Sequence, residues 1–258
     1  MGESFMKVLL IDILRTSLEE AWPSAEHSLG LMYLATVLKS KFEKSVQIKI
    51  WTLISKPNQP EIERESLLEQ LNEFHPDLVG IRCLSIGKDS LAIVTDTVKR
   101  WNAECFVVAG GPYPSDDPVD ALRSTSVDCV VIGEGEMTMT EIVAHLMDQT
   151  PITDIPGVAC RDGDNIMKAA SRPLIVDLDS LPFPDYSLID LERFSNQFLT
   201  FTSKISKPHS NIMTTRGCPY RCAYCHDILG KRFRTRSPEN VLAEIGYLHD
   251  TYGVTDFQ

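Results

Sequence analysis

The chain has 258 residues, with 36 acidic side chains against 25 lysines and arginines and a formal net charge of −11. Contact with nucleic-acid phosphates needs a basic face, so this balance argues against a nucleic-acid partner. No apolar run approaches the roughly 20 residues that cross a bilayer, and Met-Gly-Glu-Ser-Phe-Met-Lys leads into a short apolar strand with no secretory pattern; the expectation is a cytoplasmic protein with no membrane partner.

Apolar β-branched runs at residues 7–12, 46–53, 77–84, 105–109 and 128–132 alternate with helical patterns at 29–42, 61–74, 90–102, 137–147 and a short one near 119–122. Short strands separated by helices predict a parallel sheet with crossover connections. Residues 1–150 therefore read as a flavodoxin-like, doubly wound α/β domain, a fold that binds ligands at the carboxyl ends of its strands. The segments at those ends are a long loop over 13–28 that closes on Ser28-Leu29-Gly30-Leu31, then Ser85-Ile86-Gly87-Lys88-Asp89, Gly110-Gly111-Pro112-Tyr113-Pro114 and Gly133-Glu134-Gly135-Glu136. Glycine there lets a bulky ligand approach the backbone, and all four loops are expected on one rim. Ordinary turn chemistry is the plain alternative, with Glu134 and Glu136 favouring the positive end of the next helix.

Residues 151–206 change character. Pro151, Pro156, Pro173, Pro182 and Pro184 interrupt helices, and Arg161-Asp162-Gly163-Asp164 predicts a hairpin tip between strands at 157–160 and 166–168. This stretch reads as a connector without chemistry of its own. Residues 207–258 read as the start of a second domain: a strand at 211–215, a cysteine loop, a helix opened by Ser237 as N-cap with Pro238 at its first position, and a strand beginning at 254. The expectation is that the chain is the N-terminal part of a longer protein.

Cys218, Cys222 and Cys225 lie in Thr-Arg-Gly-Cys-Pro-Tyr-Arg-Cys-Ala-Tyr-Cys-His, spaced C-x-x-x-C-x-x-C. Three thiolates in one short loop point to a metal, and an odd count can hold three corners of an iron–sulfur cube where full cysteine ligation takes four. A zinc knuckle would need a fourth ligand, for which His226 is adjacent, but closed zinc sites usually draw on two separate pairs. Cys222 and Cys225 alone could form a redox dithiol; the third cysteine and the Gly-Cys-Pro-Tyr context argue against it. The scattered Cys83, Cys105, Cys129 and Cys160 read as buried small hydrophobes of a reducing compartment. Lys231, Arg232, Arg234 and Arg236 form either a solvated basic stretch or a set of cations offsetting an anionic cluster.

The cysteine loop resembles the cluster motif of the radical S-adenosylmethionine (SAM) superfamily, including the aromatic Tyr224 before the last cysteine. The resemblance implies that Cys218, Cys222 and Cys225 hold a 4Fe-4S cluster whose open iron is chelated by SAM, and that Tyr224 packs near the SAM adenine. It also implies a one-electron donor of flavodoxin or ferredoxin type, which drives cleavage of SAM to a 5′-deoxyadenosyl radical that acts on a small-molecule substrate. Residues 1–150 resemble the cobalamin-binding domain found ahead of many radical SAM domains, most clearly in Gly110-Gly111 and the Gly-Glu-Gly-Glu run, and residues 178–184 resemble the family's connector. On that resemblance Ser85, Gly110, Gly111, Pro112, Gly133, Glu134 and Gly135 contact cobalamin, and residues 207–258 begin a radical SAM (β/α) barrel.

One motif departs from the family. Corrinoid proteins that ligate cobalt from below carry D-x-H-x-x-G after the first strand, but here Asp12 is followed by Leu14 and Ser17, and the usual S-x-L reads Arg82-Cys83-Leu84. Either cobalt lacks that histidine, with His27 of the same loop a weak substitute, or cobalamin does not bind. The implied function is a cobalamin-dependent radical SAM enzyme that transfers a methyl group to an unactivated centre. Cyclisation or rearrangement on the same architecture is one alternative, and a non-catalytic corrinoid-type sensory module with an iron–sulfur cluster is another. A methylthiotransferase would need three more cysteines at the strand ends of the first domain, whereas Cys83 and Cys129 sit in or at the start of strands. No catalytic side chain is assigned.

Overall fold

The computed structural model describes residues 5–15, 28–56, 59–163, 165–191, 198–200, 203–204, 209–223 and 225–258. Five parallel strands, β1 (Met6–Arg15), β2 (Val46–Ser55), β3 (Leu78–Arg82), β4 (Phe106–Gly110) and β5 (Cys129–Val131), stand in the order β2-β1-β3-β4-β5. Between them run α1 (Leu29–Phe42), α2 (Pro60–Phe74), α3 (Lys88–Trp101), α4 (Pro112–Asp116) and α5 (Pro118–Ser124), with α6 (Glu136–Met147) after β5. The short helix expected near 119–122 is thus a pair. Prolines open both members, as suits a first-turn position whose N–H is spare, and the Asp117 carboxylate between them accepts from the Asp120 N–H at 2.9 Å.

Side chains alternate across each strand. Leu9, Ile11 and Ile13 pack with Leu67 and Leu71 of α2 and Leu91, Val94 and Val98 of α3. Val8 and Leu10 face the other way, onto Leu31, Ala35 and Leu38 of α1 and Met139, Ile142 and Val143 of α6. Helices cover both faces, which is why the strands read as nearly unbroken apolar runs.

The hairpin assigned on sequence to the connector belongs to this sheet. Its strands, β6 (Val158–Asp162) and β7 (Asn165–Lys168), complete a seven-stranded order, with β6 antiparallel to β5 through Cys129–Cys160, Val130–Ala159 and Val131–Val158. Without β6, β5 would present an unpaired edge; the hairpin covers it and buries Val158, Ala159 and Cys160.

Past the connector, His209–Ser210 pairs in parallel with Asp256–Phe257, joined by α7 (Pro238–Tyr252) in a β-α-β unit. The strand expected at 211–215 therefore lies two residues earlier, although the Ile212 N–H still donates to the Gln258 carbonyl at 2.9 Å. Thr215–Arg216 instead pairs antiparallel with Arg234–Thr235, forming a ribbon at the base of the cysteine loop. Met32, Tyr186, Leu191, Leu248 and Val254 make a third apolar cluster that joins α1, the connector and α7.

Ser237 caps α7 as expected, its hydroxyl accepting from the Asn240 N–H at 3.2 Å. Ser237→Ala should cost about 1 kcal/mol of stability, read as a lower denaturation midpoint at unchanged slope. An unchanged midpoint would mean that the backbone bond from the Ser237 N–H to the Asp179 carboxylate, at 3.0 Å, suffices to hold the helix start.

Candidate functional site

A cavity of about 300 Å³ opens at the carboxyl end of the parallel strands. Its floor is the sheet face at Leu10, Gly80, Val108 and Val131, and its sides are Leu31 and Leu34 of α1 and Met139 of α6. Its rim is Arg82, Gly110, Gly111, Pro112, Gly133, Glu134 and Gly135. The far wall comes from the second domain, through Met213, Arg216, His226, Ile228 and Leu229. The glycine-bearing rim loops and the segment after the cysteines therefore enclose one space.

One rim glycine is required by geometry. Gly111 has φ +87°, and a Cβ there would meet the Arg82 Cγ at 3.1 Å and the Cys83 backbone at 3.4 Å. At Gly135 a Cβ would lie 3.1 Å from the Leu34 Cδ2. Arg82, in place of the S-x-L serine, donates to the buried Asp12 carboxylate at 2.7 Å. That pair joins the ends of β1 and β3 in the cavity wall. Ser85 lies apart: it is exposed on a short turn after β3 and does not line the cavity. His27 and Tyr224 lie outside the described residues.

Cys218, Cys222 and Cys225 are exposed on the loop that the ribbon closes, while the other four cysteines are buried. Burial pushes the Cys83 and Cys105 thiols up to about 12 and raises Cys129 as well, which keeps them protonated and inert. The loop's neck is backbone-made: the Cys218 N–H donates to the Gly230 carbonyl at 3.0 Å, and at Gly217 (φ +94°) a Cβ would fall 2.1 Å from the Arg232 oxygen. Among the described residues no three Cys, His, Asp or Glu side chains converge on one point. Thiols have no attraction for one another, and ligand geometry in such loops forms with the metal. The donor set, three accessible thiols on one short loop, fits an iron–sulfur cluster.

The rim glutamates are neither solvated nor simple helix-end charges. Glu134 accepts from Arg216 at 3.1 Å and from Arg234 at 2.8 and 2.9 Å, and also from the Ile175 backbone N–H at 2.7 Å. Glu136 accepts from Arg216 at 2.6 Å. Burial works against the Arg216 charge, but Glu136 and Glu134 outweigh it and hold its pKa above the ordinary value. The Arg216 guanidinium also lies 5.2 Å from the Tyr33 ring centroid. Arg236 is buried against Glu244, which accepts from the Tyr186 hydroxyl at 2.8 Å. The basic stretch is thus divided: Arg232 is exposed and Lys231 faces Asp227 at 3.6 Å, whereas Arg234 and Arg236 are buried, paired cations. Nothing in the sequence pairs residues so far apart; the one available sign was that opposite charges flank two loops expected near the same ligand.

A doubly wound domain whose ligand rim faces a cysteine-triplet loop makes the chain similar to cobalamin-dependent radical SAM proteins, such as the methyltransferase TokK of Streptomyces tokunonensis, at 30% identity over 58% of this chain and 22% of the relative. Residues 22–143 match the B12 binding domain family. The chain is similar to an uncharacterized methyltransferase of Pyrococcus horikoshii, at 28% identity over 98% of this chain and 52% of the relative. It is also similar to cytidylyl-2-hydroxyethylphosphonate methyltransferase of Streptomyces wedmorensis, at 25% identity over 98% and 54%. It shares the fold of the radical SAM methyltransferase TsrM from Kitasatospora setae, solved with cobalamin and a 4Fe-4S cluster, with a TM-score of 0.69 and 19% identity over 98% of this chain and 47% of that one. The chain thus spans about half the length of the relatives it matches. Among the described residues no helix is long and apolar enough to cross a membrane.

Proposed function

We propose that the chain is the cofactor-binding part of a cobalamin-dependent radical SAM methyltransferase that acts on an unactivated centre of a small molecule. The observation that carries this reading is the shared cavity, walled on one side by the glycine rim and on the other by the segment that follows the cysteine triplet.

Cobalamin would lie on Gly110, Gly111, Pro112, Gly133 and Gly135. Cys218, Cys222 and Cys225 would hold a 4Fe-4S cluster, with Tyr224 beside the SAM adenine. When bound, the cluster supplies the electron for reductive cleavage of SAM, and cobalamin supplies a methyl group. The chain's own residues do the positioning. Leu10, Leu31, Leu34 and Met139 give the cavity apolar walls that exclude water. Arg82, tied to Asp12, is a permanently charged side chain that cannot ligate cobalt. The exposed cysteine loop leaves an approach for a flavodoxin- or ferredoxin-type donor.

Anaerobic reconstitution of the full-length protein with iron, sulfide and hydroxocobalamin, followed by metal analysis, tests the reading. The expected result is about four irons and about one cobalt per chain. Gly111→Trp, which projects a large side chain from a left-handed position on the rim, should remove the cobalt and keep the iron. Cobalt retained by that variant would place cobalamin elsewhere, and zinc in place of iron after native purification would overturn the cluster.

A further inference from the structure

We infer that Glu134 is a positioning residue that couples the corrinoid cavity to the cysteine loop, so that cobalamin and the iron–sulfur cluster each strengthen binding of the other. This rests on the function proposed above and goes beyond it. Glu134 lies in the cavity rim between two glycines, Gly133 and Gly135, that also line the cavity. Gly133 has φ +83°, and the space beside it ends at the Ile228 carbonyl, 3.8 Å from where a Cβ would sit. The rim loop is therefore in reach of the arm that leaves the cysteines.

The carboxylate completes the connection. Arg216 stands two residues before Cys218, and Arg234 stands on the opposite strand of the ribbon. Glu134 binds both, and so grips the cysteine loop at its two ends from a single point on the rim. The side chains of Glu134 and Arg216 are 4% exposed and that of Arg234 is 9% exposed, so water screens the contact only weakly. A ligand that presses on Gly133 and Gly135 displaces or fixes Glu134, and through it the spacing of the ribbon that carries the thiols. Glycine on both sides gives the loop freedom to respond. Because coupling between two binding equilibria is reciprocal, a cluster that fixes the ribbon must also fix the rim for cobalamin.

The test is equilibrium titration of the full-length protein with hydroxocobalamin, with and without the reconstituted cluster. In wild type, cobalamin should bind at least about fivefold tighter when the cluster is present. In Glu134→Gln the ratio should fall to about one with iron per chain unchanged, and Glu134→Asp should restore part of it. Glu141→Gln, which removes a more exposed ion pair with Arg172 away from the ribbon, should keep the wild-type ratio. Arg234→Gln serves as a second variant should Glu134→Gln fold poorly, and is expected to lower the ratio as well. A ratio maintained in Glu134→Gln or Arg234→Gln, or a wild-type ratio of one with both groups bound, overturns the inference and leaves the proposed function standing. Wild-type protein that takes up no cobalt or no iron removes both.

Discussion

Cys222→Ala should abolish iron loading and reductive SAM cleavage while leaving the N-terminal sheet folded. Cys222 is the middle donor of the triplet, is exposed, and belongs to none of the three apolar clusters. The loop's path is set by its neck, where Cys218 and Gly230 share a backbone bond, and by the Thr215–Arg216 and Arg234–Thr235 ribbon; neither uses the Cys222 thiol. Removing that thiol leaves two donors, too few for the three corners the proposed cluster needs. Global stability should change by no more than about 0.5 kcal/mol, as for an exposed substitution. Iron analysis and a SAM-cleavage assay with chemical reductant read the first part, and denaturation of the purified chain reads the second. Reductive cleavage of SAM by the variant would remove these cysteines from the cluster.

What was legible in the sequence divides along the range of the interaction responsible. The β1–β5 alternation with helices could be read because side-chain period and burial on both faces are local properties of each run, as in Leu78-Val79-Gly80-Ile81. The rim could be read for the same reason: Gly111 marks a place where a side chain would not fit. The Ser237 cap was visible as a serine before a proline at a helix start. Misassignments arose where a distant partner decides. Whether residues 158–168 hang free or join a sheet depends on the unpaired edge of β5, which no local pattern reveals. The strand at 209–210 is fixed by its partner at 256–257, and the apolar Ile212-Met213 drew the expectation two residues late. Ser85 follows a strand as the other rim residues do, yet it is exposed on its turn and does not line the cavity. The buried pairing of Glu134 and Glu136 with Arg216 and Arg234 depends on two domains meeting, and charge type alone could not distinguish a solvated arginine from a buried one.

That buried pairing carries the second large effect: Arg216→Met should destabilise the chain by about 3–5 kcal/mol, because it strands a buried carboxylate rather than merely deleting an attraction. Arg216 is 4% exposed and holds Glu136 at 2.6 Å, where Glu136 is 5% exposed. After the substitution Glu134 retains Arg234 and the Ile175 N–H, but Glu136, 5% exposed, loses its guanidinium. Methionine fills much of the volume, so the cost is electrostatic rather than that of a cavity. For a chain of this size the loss corresponds to a fall in Tm of about 6–20 °C. Adding Glu136→Gln should recover more than half of it, since the double variant buries a neutral amide in place of an unpaired charge. If the single variant instead melts within about 2 °C of wild type, the clasp is open or hydrated in solution. The alignment of the glycine rim with the cysteine loop would then rest on the apolar cluster of Met32, Tyr186, Leu191, Leu248 and Val254, which lacks the directional hold of two guanidinium groups on one carboxylate.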